Sequence, residues 1–211
     1  MRQARGNMSV TKEQELTPKQ ARSKETQRKI LEATLALLED RHFEAMTIVD
    51  IASLAGMAVG NFYKRFKNKE ALLPHLYAEY NQRFQVFAES MQVETAGEPW
   101  LQIVKGTVDF FSANKGLIRA LHLHSRLNPA LVPDGSTKAR GGLYLALEPL
   151  ITRPGLDAEA CNRRARIAAL AMVSAITEAI VYQDMTPAET LGLELGMLVE
   201  ELTELLKAYS Q

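Results

Sequence analysis

The stretch from Thr47 to Lys69 constrains this chain most, because it predicts two short helices joined by a tight turn. Thr47 and Asp50 have the spacing of a capping box, which starts a helix by satisfying two of its free backbone N–H groups. Gly56 follows that helix at the position where a left-handed residue ends it. Residues 58–66 predict a second helix that is too short to be stable alone. The stretch therefore predicts a helix-turn-helix supported by a larger core.

The second of these helices carries unopposed positive charge. No acidic residue lies between Asp50 and Glu70, whereas four basic residues lie there: Lys64, Arg65, Lys67 and Lys69. A helix-turn-helix with a basic second element suits the DNA major groove, where the first residues of that helix face base edges. The alternative is an ordinary helical hairpin with a solvated basic face.

A run of spaced residues extends the pattern: Phe43, Thr47, Ile51-Ala52, Ala55-Gly56, Gly60, Tyr63, Phe66 and Lys69-Glu70. This run resembles the N-terminal domain of the TetR family of bacterial transcriptional regulators, and the resemblance covers residues 26–73. It departs from the family at Ala58, where Ser or Thr is frequent and where Ala supplies no side-chain cap. It also departs at His42, which replaces a Gly.

The resemblance implies a DNA-binding surface on this helix-turn-helix. It implies that Tyr63 and Lys69 contact phosphates and that Val59, Gly60, Asn61 and Lys64 face bases. The full set that we expect to bind DNA is Thr47, Ala58, Val59, Gly60, Asn61, Tyr63, Lys64, Arg65, Lys67 and Lys69.

Hydrophobic residues recur at helical spacing along nearly the whole chain, and they make up 46% of its 211 residues. This predicts an all-α fold with a three-helix DNA-binding domain on a body of about six helices. We expect a disordered basic arm over residues 1–20, the DNA-binding domain over 21–67, and an effector-binding and dimerisation domain over 68–211. Helix 1 would start at Thr17-Pro18 or at Ser23.

Net charge is zero, but it is divided unevenly along the chain. Residues 1–75 hold 13 Lys and Arg against 9 Asp and Glu, and residues 76–211 hold 12 against 16. A basic N-terminal part on an acidic body is typical of a protein that presents one end to nucleic acid. The single cysteine, Cys161, and the lack of a long apolar run lead us to expect a soluble cytoplasmic protein.

The last two predicted helices, over residues 156–184 and from Thr186-Pro187 to Tyr209, are the candidate dimer interface. Leucines recur there at alternating intervals of four and three residues, which is a coiled-coil-like spacing, and small residues lie on the facing helix. The predicted interface consists of Ala168, Ala171, Ala175, Leu191, Leu195, Leu198 and Leu202. The alternative is a hairpin that packs only on its own body.

The sequence contains no glycine-rich phosphate loop, no nucleophile elbow and no Cys/His cluster of the metal-binding type. His122 and His124 would point about 200° apart on a helix, which argues against a shared metal. We therefore predict no enzymatic activity, no metal and no cofactor. The resemblance implies an effector pocket among the middle helices, for which the candidates are Tyr77, Trp100, Phe110, Phe111, His122, Arg126, Tyr144 and Tyr182.

The predicted function is that of a homodimeric repressor that a small hydrophobic or aromatic effector releases from a palindromic operator. Two other classes stay open at this point. One is a helical interaction module whose basic face meets an acidic protein or a membrane, and the other is a helical enzyme.

Overall fold

The computed structural model describes residues 18–91, 97–131, 147–184, 190, 192 and 194–211. Within these ranges the chain is helical and has no strand, which confirms the predicted all-α fold. The α-helices of the described part are α1 (Pro18–Asp40), α2 (Ile48–Leu54), α3 (Val59–Tyr63), α4 (Leu73–Ser90), α5 (Pro99–Ala113), α6 (Lys115–Leu127), α7 (Ala158–Ile176) and α8 (Leu195–Ser210). Short 3₁₀ turns at Phe43–Ala45 and Lys69–Leu72 lie before α2 and α4.

The local signals that define the helix-turn-helix work as predicted. The Thr47 hydroxyl accepts a hydrogen bond from Asp50 N–H at 3.1 Å, and the Asp50 carboxylate accepts one from Thr47 N–H at 2.8 Å. Gly56 has a φ of 66°, the left-handed conformation that turns the chain after α2. Asn68 caps the next turn, since its side-chain oxygen accepts from Ala71 N–H at 3.0 Å.

The core of the DNA-binding domain is completed by helices that the sequence assigns to the body. Ile30, Ile51 and Phe62 are fully buried in one cluster, and Leu76 of α4 and Leu121 of α6 belong to the same cluster. Helices α1 to α3 are too short a unit to bury their apolar faces alone, so α4 and α6 close the core. The predicted boundary at residue 67 therefore falls inside a continuous hydrophobic cluster.

A second apolar cluster holds α5, α7 and α8 together, with Ile103, Ala169 and Met172 fully buried in it. Helix α7 ends in a π-helical turn, Thr177–Val181. The last helix begins at Leu195, and Gly192 before it has a φ of 59°. That left-handed residue is incompatible with a helix running through it. The predicted start at Thr186-Pro187 lies outside the described residues.

Some other predictions also fall outside the described residues. These are the arm over residues 1–17, Tyr144 and Leu191. Helix α1 begins at Pro18, the earlier of the two predicted starts, so residues 18–20 of the predicted arm are helical. In the part of the chain that the structure describes, no helix is long and apolar enough to cross a membrane.

Candidate DNA-binding surface and ligand cavity

Helix α3 presents Gly60 on an open surface, with Val59 and Asn61 half-buried on either side of it. Gly60 has no neighbouring atom within 4 Å of the place where a side chain would begin, and Tyr63 is 56% exposed. Phe62 and Phe66 point the other way, are nearly inaccessible, and fix the helix to the core with their rings 5.5 Å apart. The amphipathic division of this five-residue helix therefore leaves its polar side free.

The basic residues of this region, except Lys69, are exposed. Lys64, Arg65 and Lys67 are open to solvent, and Lys64 Nζ lies 3.3 Å from the side-chain oxygen of Asn61. Ala58, at the start of α3, makes no side-chain cap, as its identity predicts. A groove joins this surface to α1, and no carboxylate occurs among its described lining residues, which are Gln20, Arg22, Ser23, Thr26, Asn61, Lys64 and Arg65.

The sequence interpretation missed the contribution of α1 to this groove. Arg22, Ser23 and Thr26 are polar, and Ser23 and Thr26 lie seven and four residues before the buried Ile30, on the same face of α1. Their position beside α3 depends on how two helices pack, which the local pattern does not specify. The surface able to meet phosphate oxygens is thus wider than α3 alone.

Two of the predicted DNA-binding side chains are used inside the protein. Lys69 Nζ donates to the backbone carbonyls of Phe43 at 2.7 Å, Glu44 at 3.0 Å and Met46 at 2.8 Å. It also lies 4.9 Å from the centre of the Phe43 ring. An ammonium group has three donors, so Lys69 has none left for a phosphate. The Thr47 hydroxyl is likewise held by Asp50, at 2.6 Å.

The capping box also has an electrostatic signature. Hydrogen bonds from the Thr47 hydroxyl and from Thr47 N–H, with a smaller effect of nearby Arg41, hold the pKa of Asp50 below its usual range. The carboxylate therefore stays charged near the start of α2, where the helix dipole favours a negative group.

A cavity of about 190 Å³ lies between α4, α5, α6 and α7. We call it the central cavity, and its walls include Tyr77, Tyr80, Phe111, His122, Ser125 and Thr177. His122 Nδ1 lies 2.6 Å from the Tyr182 hydroxyl, which places Tyr182 behind the wall. Burial is the largest effect on Tyr182 and raises its pKa, so the phenol stays neutral at physiological pH.

The structure brings together only part of the predicted effector pocket. Tyr77, Phe111 and His122 line the central cavity, and Tyr182 contacts it through His122. Phe110 is instead part of the core, with its ring stacked 4.7 Å from that of Phe87. Arg126 is exposed and outside the lining. The face that each residue takes on its helix thus places Phe110 and Arg126 away from the walls of the central cavity.

Trp100 lies at the opposite end of α5 from the central cavity. Eleven residues separate it from Phe111, which corresponds to about 16 Å along a helix. It lines a different cavity, together with the end of α8.

Helix α6 connects the central cavity to the DNA-binding domain. His122 faces the cavity, whereas His124 Nε2 lies 3.0 Å from the Glu44 carboxylate, without the alignment of a hydrogen bond. The His124 ring also meets the Phe43 ring edge-on, with centroids 5.1 Å apart. One turn of α6 thus contacts both the cavity and the segment that Lys69 holds in place.

The predicted leucine seam has a different orientation from the one expected. Ala168, Leu198 and Leu202 are buried against the body's own core. Leu195 is 42% exposed, Ala171 is exposed and Ala175 is half-buried. The large exposed apolar residues of these two helices are Ile167, Leu170, Leu195, Met197 and Leu205. The inward half of the seam packs within the subunit, where α8 contacts α5.

In the described residues, no group of three His, Cys, Asp or Glu side chains is placed to hold a metal ion.

Residues 30–76 match the family model described as bacterial regulatory proteins, tetR family. An uncharacterised helix-turn-helix regulator of Bacillus subtilis, YerO, is 32% identical over 81 residues, which is 38% of this chain and 28% of YerO.

Solved structures share the fold over most of the chain. The transcriptional regulator FadR from Bacillus subtilis, in complex with stearoyl-CoA, superposes with a TM-score of 0.61 at 22% identity and covers 87% of this chain and 98% of its own. FadR from Bacillus halodurans superposes with a TM-score of 0.61 at 20% identity, and the match covers 92% of this chain and 97% of that FadR. Both FadR proteins are described as regulators, and YerO is described as a helix-turn-helix transcriptional regulator. The helix-turn-helix region of this chain thus matches the tetR family of bacterial regulatory proteins, and the chain as a whole shares the all-helical fold of these solved structures.

Proposed function

We propose that this protein is a homodimeric repressor that binds a palindromic operator and leaves it when a small hydrophobic or aromatic effector occupies the central cavity. The observation that carries the DNA-binding part is the continuous exposed surface of α3 and α1, which includes Arg22, Lys64 and Arg65 without an opposing carboxylate among the described residues of its groove. Such a surface neutralises phosphates while Val59, Gly60 and Asn61 reach base edges.

Dimerisation is supported by the outward apolar face of α7 and α8. Ile167, Leu170, Met197 and Leu205 are each about half exposed or more. Large apolar side chains that cluster on one face of a helical pair are typical of a protein contact, and a two-fold axis there would make a four-helix bundle. Two recognition helices would then meet successive major grooves about 34–36 Å apart.

Effector control is supported by the walls of the central cavity and by α6. Three aromatic rings, with few polar groups among them, favour a neutral aromatic ligand, and a volume of about 190 Å³ fits one of about one or two rings. A ligand that moves His122 also moves His124 and its contact with Glu44, since both histidines lie on one turn. By linkage, operator DNA must weaken the binding of the effector by the same factor by which the effector weakens the binding of operator DNA.

Fluorescence anisotropy with labelled DNA from the region flanking this protein's own gene tests the proposal. We expect tight binding whose affinity falls steeply with salt, as phosphate neutralisation requires. Arg65→Met should weaken binding and lower the salt slope by about one. Arg153→Met, a change at an exposed arginine outside the proposed interface helices, is the matched control and should leave both unchanged.

Weak binding to every DNA, equal in Arg65→Met and wild type, would contradict the proposal. If the same variant then lost an acidic protein partner, the interaction-module alternative would replace it. Lys69→Ala is unsuitable as a binding control, because the structure gives that side chain a role in stability.

A further inference from the structure

A second cavity lies at the end of the body away from the DNA-binding surface, where the start of α5 meets the end of α8. We call it the distal cavity. It measures about 280 Å³, larger than the central cavity, and its walls include Trp100, Leu101, Pro149, Leu150, Thr203 and Ser210. A cavity of about 150 Å³ already holds benzene when its walls are apolar.

The buried polar atoms of the distal cavity are already paired with the protein. Trp100 Nε1 donates to Ser210 Oγ at 3.1 Å, and Ser210 Oγ donates to the Lys207 carbonyl at 2.7 Å. Thr203 Oγ1 donates to the Val199 carbonyl at 2.6 Å. The remaining polar side chains of the lining are exposed at its rim: Glu98, Thr152, Lys207 and Gln211. A ligand deeper in the cavity would therefore meet the indole and aliphatic walls rather than open donors or acceptors.

The rim of the distal cavity carries balanced charge. Glu98 and Lys207 are both exposed lining residues of opposite sign, and Lys207 Nζ lies 3.4 Å from the Glu204 carboxylate. A charged ligand would have to leave water for walls that hold no buried counter-charge, which is unfavourable.

We infer that the distal cavity is a second ligand site, separate from the central cavity, and that it takes small uncharged aromatic molecules of about one or two rings. Its apolar walls contribute the binding energy, and Trp100 supplies a ring for offset or edge contacts. Because α8 also forms half of the outward apolar face, a ligand here acts on the part of the body next to that face. The binding test needs no DNA, so its result is independent of the proposed function.

The test uses the emission of Trp100, the only tryptophan of the chain, as a probe inside the cavity wall. Toluene should change this emission saturably, whereas benzoate and benzylamine should bind at least about tenfold more weakly because their charge opposes burial. Two substitutions, Thr152→Phe and Pro149→Phe, add bulk at lining positions. Each should weaken the binding of toluene by about tenfold or more.

Two variants serve as controls. Arg153 is exposed and next to Thr152 in the chain, but it does not line the cavity. Arg153→Phe should therefore leave toluene binding unchanged. Ser125→Phe fills the central cavity and should also leave it unchanged. Thermal melts followed by circular dichroism establish that each variant is folded.

Three results would overturn the inference. The first is no saturable change of Trp100 emission up to the aqueous solubility of toluene. The second is binding that Ser125→Phe removes and both cavity-filling variants keep, which would place the ligand in the central cavity. The third is equal or tighter binding of benzoate or benzylamine, which would show that the site is built for charge.

Discussion

Lys69 shows how a single side chain departs from its expected role. The sequence places it at the start of a helix beside other basic residues, which suggests a phosphate contact. Its ammonium group instead joins three carbonyls of the turn before α2 to the start of α4. That turn is 23 to 26 residues earlier in the chain, so only the folded structure reveals the contact.

Lys69→Met should therefore destabilise the protein, whereas Lys67→Met should not. Removing the ammonium leaves three carbonyls without their partner, and we expect a loss of about 2 kcal/mol in the free energy of unfolding. Lys67 is exposed, so its replacement should keep stability and weaken operator binding. Urea unfolding of both variants measures the difference, and equal stability would contradict the structural role of Lys69.

The free energy of unfolding should depend on pH in the acid range through Asp50. Its pKa is lowered by the hydrogen bonds from Thr47, so its stabilisation is present above the ordinary carboxyl pKa of about 4. It is lost as the pH falls through the lowered value. Asp50→Asn should be less stable than wild type at pH 7, and the gap should shrink at pH 3.

Urea unfolding of wild type and Asp50→Asn at the two pH values isolates this group, because the other carboxylates titrate in both proteins. A gap that is as large at pH 3 as at pH 7 would mean that the charge of Asp50 plays no part in the cap.

Helix α6 is the element on which the connection between the two parts of the molecule depends. Gly116 in its first turn packs against α1 so closely that a Cβ there would lie 1.7 Å from the Leu38 carbonyl oxygen. Backbone atoms cannot move aside as a flexible side chain does. The glycine is therefore required by a close approach rather than by its conformational freedom.

Gly116→Ala should push α6 away from α1, lowering thermal stability and weakening control of DNA binding by effectors. Gly106→Ala is the matched control, since its Cβ would meet the flexible end of Met91, at 2.9 Å from the sulfur. We expect the first variant to lose at least about 2 kcal/mol and the second to lose little. Differential scanning calorimetry measures both, and similar melting temperatures would contradict the close contact.

Elements were predictable where their signals are local. Thr47, Gly56 and Asn68 act within three residues of themselves, and each behaves as its identity predicts. The leucine seam was only half right, because spacing identifies a stripe but not the partner that covers it. Leu202 turns towards α5 and Leu205 turns outward, although both fit one seven-residue repeat.

The same limit applies to the candidate site. Exposure of Tyr63 and Lys64 followed from the amphipathic pattern of α3. The separation of Trp100 from Phe111 did not, since aromatic residues predict a core without saying which cavity they border.

At the scale of the whole molecule, the outward face of α7 and α8 should hold two subunits together. Leu170 is 60% exposed at its centre, and Leu170→Glu would place a charge in an apolar interface. We expect monomers in light scattering and loss of operator binding at protein concentrations that saturate wild type. Val86→Glu, at a side chain 61% exposed on α4, is the matched control and should stay dimeric. A dimeric Leu170→Glu would place the interface elsewhere.

His122 and His124 lie two residues apart on α6 but serve different neighbours, one at the central cavity and the other at Glu44. If the central cavity binds the effector as we propose, a substitution at His122 would change which molecule binds there. A substitution at His124 would change how strongly that binding affects the DNA-binding domain. The two properties would then be separately heritable, although both reside in a single helical turn. A descendant of this protein could acquire a new inducer by point mutation and keep the transmission of its signal intact.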